Sequence, residues 1–160
     1  MTLARITHSV AAAFAAALLA LPAAPAAAQS NANANAPLVD QPFAEHHLAL
    51  QLSDNDSKKQ ALTLSVAYNL LKHYGPDRIA IEVVTFGPGI DLLRAGSAHR
   101  AEVDSLISQG VQFDVCMNTV ETIERETGKP VDLNPRAVKV QAGVAQILAL
   151  TEKGFTLVRP

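Results

Sequence analysis

The chain has 160 residues, 49% of them hydrophobic, with 13 basic against 15 acidic side chains and a formal net charge of −2. With no basic cluster it lacks the electrostatic footprint of a nucleic-acid binder. The absence of Trp, with two Tyr and five Phe, argues against a stacking site for sugars or bases, and a single cysteine excludes an internal disulfide.

Residues 1–28 read as a secretory signal. Arg5 supplies the positive start, and Val10 to Leu21 is an alanine-rich apolar run too short to span a bilayer. Ala26-Ala27-Ala28 fits the small-residue cleavage pattern, and Pro22 and Pro25 break the run against a membrane anchor. The expected location is therefore periplasmic, with cleavage near Ala28 and no membrane span afterwards. Residues 29–44 follow as a flexible leader, in which Ser30 to Ala36 alternates Asn and Ala.

The predicted domain is 45–160. His46 to Leu52 is a strand with Leu48, Leu50 and Leu52 on one face. In the loop Ser53-Asp54-Asn55-Asp56-Ser57, Asp56 or Ser57 caps the next helix, and capping and turn chemistry account for these acids without a bound cation. Lys58 to Tyr74 is a helix with two apolar rows, Leu62, Val66 and Leu70 beside Leu64, Ala67 and Leu71, stopped by Gly75-Pro76. Ile79 to Phe86 is nearly continuous in apolar residues, as in a central parallel strand. Gly87-Pro88-Gly89 is then a tight loop that admits a ligand to the backbone, without the spacing of a phosphate-binding glycine motif. Ile90 to Leu93 makes a helical turn, and Ala98 to Gln109 a helix ended by Gly110.

The stretch Gly110 to Thr119 carries the lone Cys116. Val111, Phe113 and Val115 alternate with Gln112 and Asp114, the period of a strand with one face more apolar than the other. Cys116 falls where that strand runs out, and Asn118 or Thr119 is expected to cap a helix reaching about Thr127. Such a position lets free helix N–H groups and the helix dipole favour a thiolate. A lone cysteine also reads as a small buried hydrophobe. Ala137 to Val140 is a fourth strand and Gln141-Ala142-Gly143 a turn. Val144 to Lys153 is a last helix with Val144, Ile147 and Leu148 inward, and Phe155 to Val158 a fifth strand.

Strand and helix alternate throughout, which predicts a three-layer α/β/α domain with a five-stranded parallel sheet and right-handed crossovers. Ligand sites in such sheets lie beyond the strands' carboxyl ends. That edge gathers the loops Ser53–Ser57, Gly87–Gly89, Cys116–Thr119 and Gln141–Gly143, so the topology itself puts the thiol on the functional rim. Adjacent His46 and His47 point to opposite faces of a strand and do not form a metal pair. No metal-ligand spacing, nucleophile elbow or cofactor motif is present, so no metal and no cofactor are expected.

The ordered set of the opening strand with its Ser-Asp-Asn-Asp loop, the helix end Asn69 to Gly75, the segment Ile81 to Gly89, the stretch Gly110 to Thr119 and the ending Gly143 to Pro160 resembles the DsrE/DsrF-like family of sulfur-relay proteins. The likeness covers about His46 to Pro160. It implies a flavodoxin-like fold of the DsrEFH type and homo-oligomers or, in the relay proteins, hetero-oligomers; for this chain a homo-oligomer, a trimer or hexamer, is expected. In relay members a cysteine after the third strand carries sulfur as a persulfide, and Cys116 lies at the matching place. The implied activity is that of a sulfur carrier or sulfurtransferase. Cys116 would take up sulfane sulfur, and Asn118 and Thr119 would hold the sulfur anion. Ser53, Asp54, Gly87, Pro88 and Gly89 would shape the pocket. The partner would be a sulfur-donating or sulfur-accepting protein, or a small sulfur compound. This chain departs from the cytoplasmic relay proteins in carrying an export signal. The alternative expectation is a non-catalytic exported oligomeric binding or scaffold module whose cysteine is buried and inert.

Overall fold

The computed structural model describes residues 41–160; the expected signal segment and most of the leader lie outside the described residues. The chain runs β1 (His46–Leu52), α1 (Ser57–Tyr74), β2 (Ile79–Thr85), a 3-10 helix (Gly87–Leu93), α2 (Arg100–Ser108), β3 (Gln112–Cys116), α3 (Met117–Thr127), β4 (Val138–Val140), α4 (Gly143–Glu152) and β5 (Thr156–Val158). All neighbouring strands pair in parallel, in the order β4-β3-β2-β1-β5. This is a flavodoxin-like three-layer α/β/α architecture.

The strand order determines which face each helix covers. From β1 the chain steps in one direction to β2, β3 and β4, so right-handed crossovers bring α1, α2 and α3 to the same face. The β4-to-β5 connection crosses the sheet in the opposite direction and brings α4 to the other face. The core confirms this division. Leu48, Leu50, Ile81, Val83, Phe113 and Val115 pack with Leu64, Ala67 and Leu71 of α1, Val103 and Leu106 of α2 and Val120 of α3. Ala49, Ala80 and Val84 form a smaller cluster with Ile147 and Leu150 of α4 and with Phe155. Each fully buried aliphatic or aromatic side chain contributes about 1.5–3 kcal/mol, so the first face carries most of the hydrophobic stabilisation.

Local signals set the boundaries. The Asp56 carboxylate accepts the Lys59 N–H at 2.9 Å and caps α1, and the Gly75 N–H closes its other end on the Leu71 carbonyl. Three expectations are corrected. Neither Asn118 nor Thr119 caps α3: the chain turns helical one residue after the strand, leaving Cys116 in the extended N-cap position. Val144 and Leu148 do not face inward but are exposed, because α4 turns Gly143, Gln146, Ile147 and Leu150 to the sheet. The sheet face beneath it is polar at its centre, and Gln146 answers that polarity (below). Leu62 of α1 likewise lies outside, leaving Leu64, Ala67 and Leu71 as the buried row.

Candidate functional site

In an open parallel sheet a crevice forms where adjacent strands send their following connections to opposite faces. Here β3 leads into α3 on the first face and β4 leads to α4 on the second. The carboxyl ends of β3 and β4, where Cys116 pairs in register with Val140, therefore lead to helices on opposite faces of the sheet. Cys116 is the N-cap of α3 and Ala142 the N-cap of α4, and neither helix has a side-chain cap. Two helix amino termini without side-chain caps thus begin at this crevice, each presenting the positive end of its dipole, with the Asn118 N–H of α3 taken by the Gln141 carbonyl.

Cys116 ends β3 with its side chain on the α4 face, in the same file as Gln112 and Asp114. It is 5% exposed, which decides that a reagent reaches it only when its cover moves. Its Sγ lies 3.9 Å from the Gln141 carbonyl oxygen, a long S–H···O contact. The cover is Gly143: a Cβ there would stand 3.2 Å from Phe86 and 3.3 Å from the Cys116 Cβ, so the start of α4 is pressed against the thiol-bearing carbon. Gln141 also ties the two loops together. Its carbonyl accepts the Asn118 N–H at 3.0 Å, and its side-chain amide donates to Asn118 Oδ1 at 2.7 Å.

The expected sulfur-holding residues are thus at the rim but already engaged. Asn118 binds Gln141. Thr119 Oγ1 accepts the Gly87 N–H at 3.0 Å, joining the loop after β2 to the first turn of α3. Gly87, Pro88, Asn118 and Thr119 line one crevice of about 490 Å³, with Asp91 and Arg94. Arg94 is held by Asp91. Ser53 and Asp54 are at the same edge after β1, two strands from Cys116, and Asp54 pairs with Lys59 at 2.9 Å. Gly89 has a packing role: a Cβ on it would fall 2.2 Å from the Leu52 carbonyl oxygen, so only glycine lets the 3-10 helix seat on the end of β1.

One group escaped the sequence reading. Glu82 and Asp114 are 3% and 0% exposed, on neighbouring strands and on the α4 face. Gln112 Nε2 donates to Asp114 Oδ1 at 2.8 Å and to Glu82 Oε2 at 3.2 Å, and Gln146 Nε2 of α4 donates to Glu82 Oε2 at 3.2 Å. Asp114 Oδ2 is buried without a protein partner among the described residues. Burial, and then the neighbouring Glu82 charge, push the Asp114 carboxyl up to about 8. Burial also raises Glu82. Two carboxylates so close in a buried layer do not both ionise at neutral pH, and the pair keeps a proton. The sequence did hold a trace of this cluster, since Glu82 interrupts an apolar strand and Gln112 and Asp114 interrupt another.

No family model matches the chain, and no curated protein does. Among solved structures, the protein of unknown function MTH1491 from Methanobacterium thermoautotrophicum is similar, with a TM-score of 0.65 and 28% identity, over 72% of this chain and 100% of that one. The likeness agrees with the three-layer architecture.

Proposed function

We propose that this protein handles sulfur through Cys116, accepting sulfane sulfur as a persulfide and passing it to a partner thiol. The observation that carries the reading is the position of Cys116 as N-cap of α3, beside the start of α4, where two helices without side-chain caps begin. Helix amino termini favour a thiolate and equally a persulfide anion. The chemistry balances without a cofactor. The Cys116 thiolate attacks the outer sulfur of a donor persulfide, an S–S bond forms on Cys116, and the donor leaves as its thiolate. An acceptor thiolate then attacks the outer sulfur, and Cys116 leaves as thiolate. Donor and acceptor must reach a buried sulfur, so the start of α4 has to lift at each exchange.

On this reading the protein works in the periplasm as a member of the DsrE/DsrF-like group, and as a homo-oligomer. The outward Val144 and Leu148 of α4 and Leu157 of the edge strand β5 are apolar surface that suits such association. A second reading, the inert oligomeric module, is favoured by one observation. The thiol is 5% exposed and, among the described residues, its one polar neighbour within bonding reach, the Gln141 carbonyl, is an acceptor that suits the neutral S–H. Intact mass after exposure to a sulfane-sulfur donor separates the two. A reductant-reversible gain of sulfur that is absent from Cys116→Ser supports the carrier; no gain in the native chain, with a thiol alkylated only on unfolding, selects the inert module.

A further inference from the structure

Among the described residues α4 is the one helix packed on the second sheet face, and the groups beneath it are polar. Its hold there rests on a few apolar contacts, through Ile147 and Leu150, and on Gln146 donating to Glu82. The same helix begins at Gly143, which covers Cys116. Asp114 lies two residues before Cys116 on the same face of β3, roughly 6.6 Å away along the strand. The carboxyl cluster, the helix and the thiol are therefore one stack.

We propose that the Glu82–Asp114 pair is a proton latch: the proton it holds keeps α4 on the sheet, and loss of that proton frees α4 and uncovers Cys116. The unpartnered Asp114 Oδ2 is where the geometry requires that proton. The amide donors bonded within the cluster, Gln112 Nε2 and Gln146 Nε2, reach Asp114 Oδ1 and Glu82 Oε2 rather than Asp114 Oδ2, and a buried carboxylate oxygen without a donor is costly. The charged groups around the pair do not replace the proton. Lys153, at the end of α4, acts on Glu82 only through its charge. Arg159, after β5, donates to Gln51 at 3.2 Å instead. On β1, His47 is turned to Phe155, their rings 5.1 Å apart at the centroids. From β4, Val138 stands beside Asp114 and brings no charge, while Lys139 belongs to the opposite face. When the latch opens, water enters the layer, the Asp114 O–H bond ionises and the proton leaves to solvent.

The sign of the pH dependence follows from linkage. The closed state binds a proton that an open, hydrated Asp114 gives up near pH 4, so raising pH favours opening. The slope approaches tenfold per pH unit while only the closed state is protonated. It vanishes once the closed state also loses the proton. The latch concerns only the cover over the thiol, so it stands or falls independently of sulfur transfer.

The test is amide hydrogen exchange of Ile147 and Leu150 in the mature chain and in Asp114→Asn, corrected for base-catalysed exchange, from about pH 6 to about pH 9. In the native protein, protection of α4 is expected to fall by up to tenfold per pH unit and to level off at the alkaline end. In Asp114→Asn, where Glu82 is the one carboxyl left in the cluster, it is expected to be much shallower. The α4 amides are also expected to be less protected than that of Leu50 on β1, since α4 opens without the rest of the fold. Infrared spectroscopy at neutral pH should show the carbonyl band of a protonated carboxyl, lost in the variant. A flat native profile, an equal fall in Asp114→Asn, one common protection factor for α4 and Leu50, or no protonated carboxyl at neutral pH would each overturn the proposal. If Asp114→Asn does not fold, the native exchange profile and the infrared titration decide alone.

Discussion

Gly143→Ala tests whether the start of α4 is the cover over the thiol. The added methyl would lie 3.2 Å from the Phe86 Cβ and Cδ1 and 3.3 Å from the Cys116 Cβ. All three distances are shorter than ordinary carbon contacts of 3.5–4.0 Å. Phe86 is half-buried, so its ring can turn, but its Cβ is fixed by the backbone. The Cys116 Cβ is likewise fixed by the backbone at the junction of β3 and α3. Overpacking of this kind costs about 1–3 kcal/mol. Replacing glycine by alanine within a helix returns at most about 1 kcal/mol, less in the first turn. The net expectation is a loss of about 1–2 kcal/mol. Lifting the start of α4 relieves the clash, so the same energy appears in the opening equilibrium, and alkylation of native Cys116 should speed up about 5- to 30-fold. Urea unfolding gives the stability and a thiol reagent under native conditions gives the rate. Unchanged stability together with an unchanged alkylation rate would refute the assignment of Gly143 as the cover.

Gly89→Ala is expected to be far more damaging, with a loss above about 3 kcal/mol or failure to fold, because its methyl meets the Leu52 backbone at 2.2 Å; Gly96→Ala, with nothing within 4 Å, is the control in the same melts. Thr119→Val removes the acceptor of the Gly87 N–H and should cost about 1–3 kcal/mol in urea unfolding, whereas Thr119→Ser should largely restore it. Stability of the native chain should decline as pH rises from about 5 toward 8, by up to about 1.4 kcal/mol per pH unit, since the folded state keeps an Asp114 proton that the unfolded chain has already lost. Chemical denaturation across that range should show the decline in the native chain and a much shallower one in Asp114→Asn.

Much of the fold was legible because it depends on local pattern. The run His46–Leu52 reads as a strand and is one, residue for residue. The apolar continuity of β2 marked it as central, and it is buried along its whole length. The alternation of strands and helices gave the parallel sheet, and with it the rim on which Cys116, Asn118, Thr119 and the Gly87 loop meet. What the pattern does not contain is register and close approach. Whether Gln112 and Asp114 face water or a helix depends on which way the chain crosses after β4, and only then does Glu82 come beside Asp114. The N-cap of α3 is set by the backbone angles of Cys116 rather than by the capping preference of Asn118 or Thr119. Gly89 and Gly143 read as loop and turn glycines, yet each is fixed by an atom of a distant segment, Leu52 in one case and Phe86 and Cys116 in the other.

The long return of the chain from β4 across the sheet to β5 also sets an order of events in folding. β5 pairs with β1, and Arg159 bonds to Gln51, 108 residues earlier in the chain. Contacts of such separation form late, after the loop entropy they close has been offset by nearer ones. Strands β1 to β3 and the helices of the first face can associate before the last segment is even synthesised. In that nascent sheet Cys116 has its strand and its helix but no roof. On this order of assembly the chain's one thiol is bare until α4 docks, and an oxidant or a sulfur donor present then meets it without its cover.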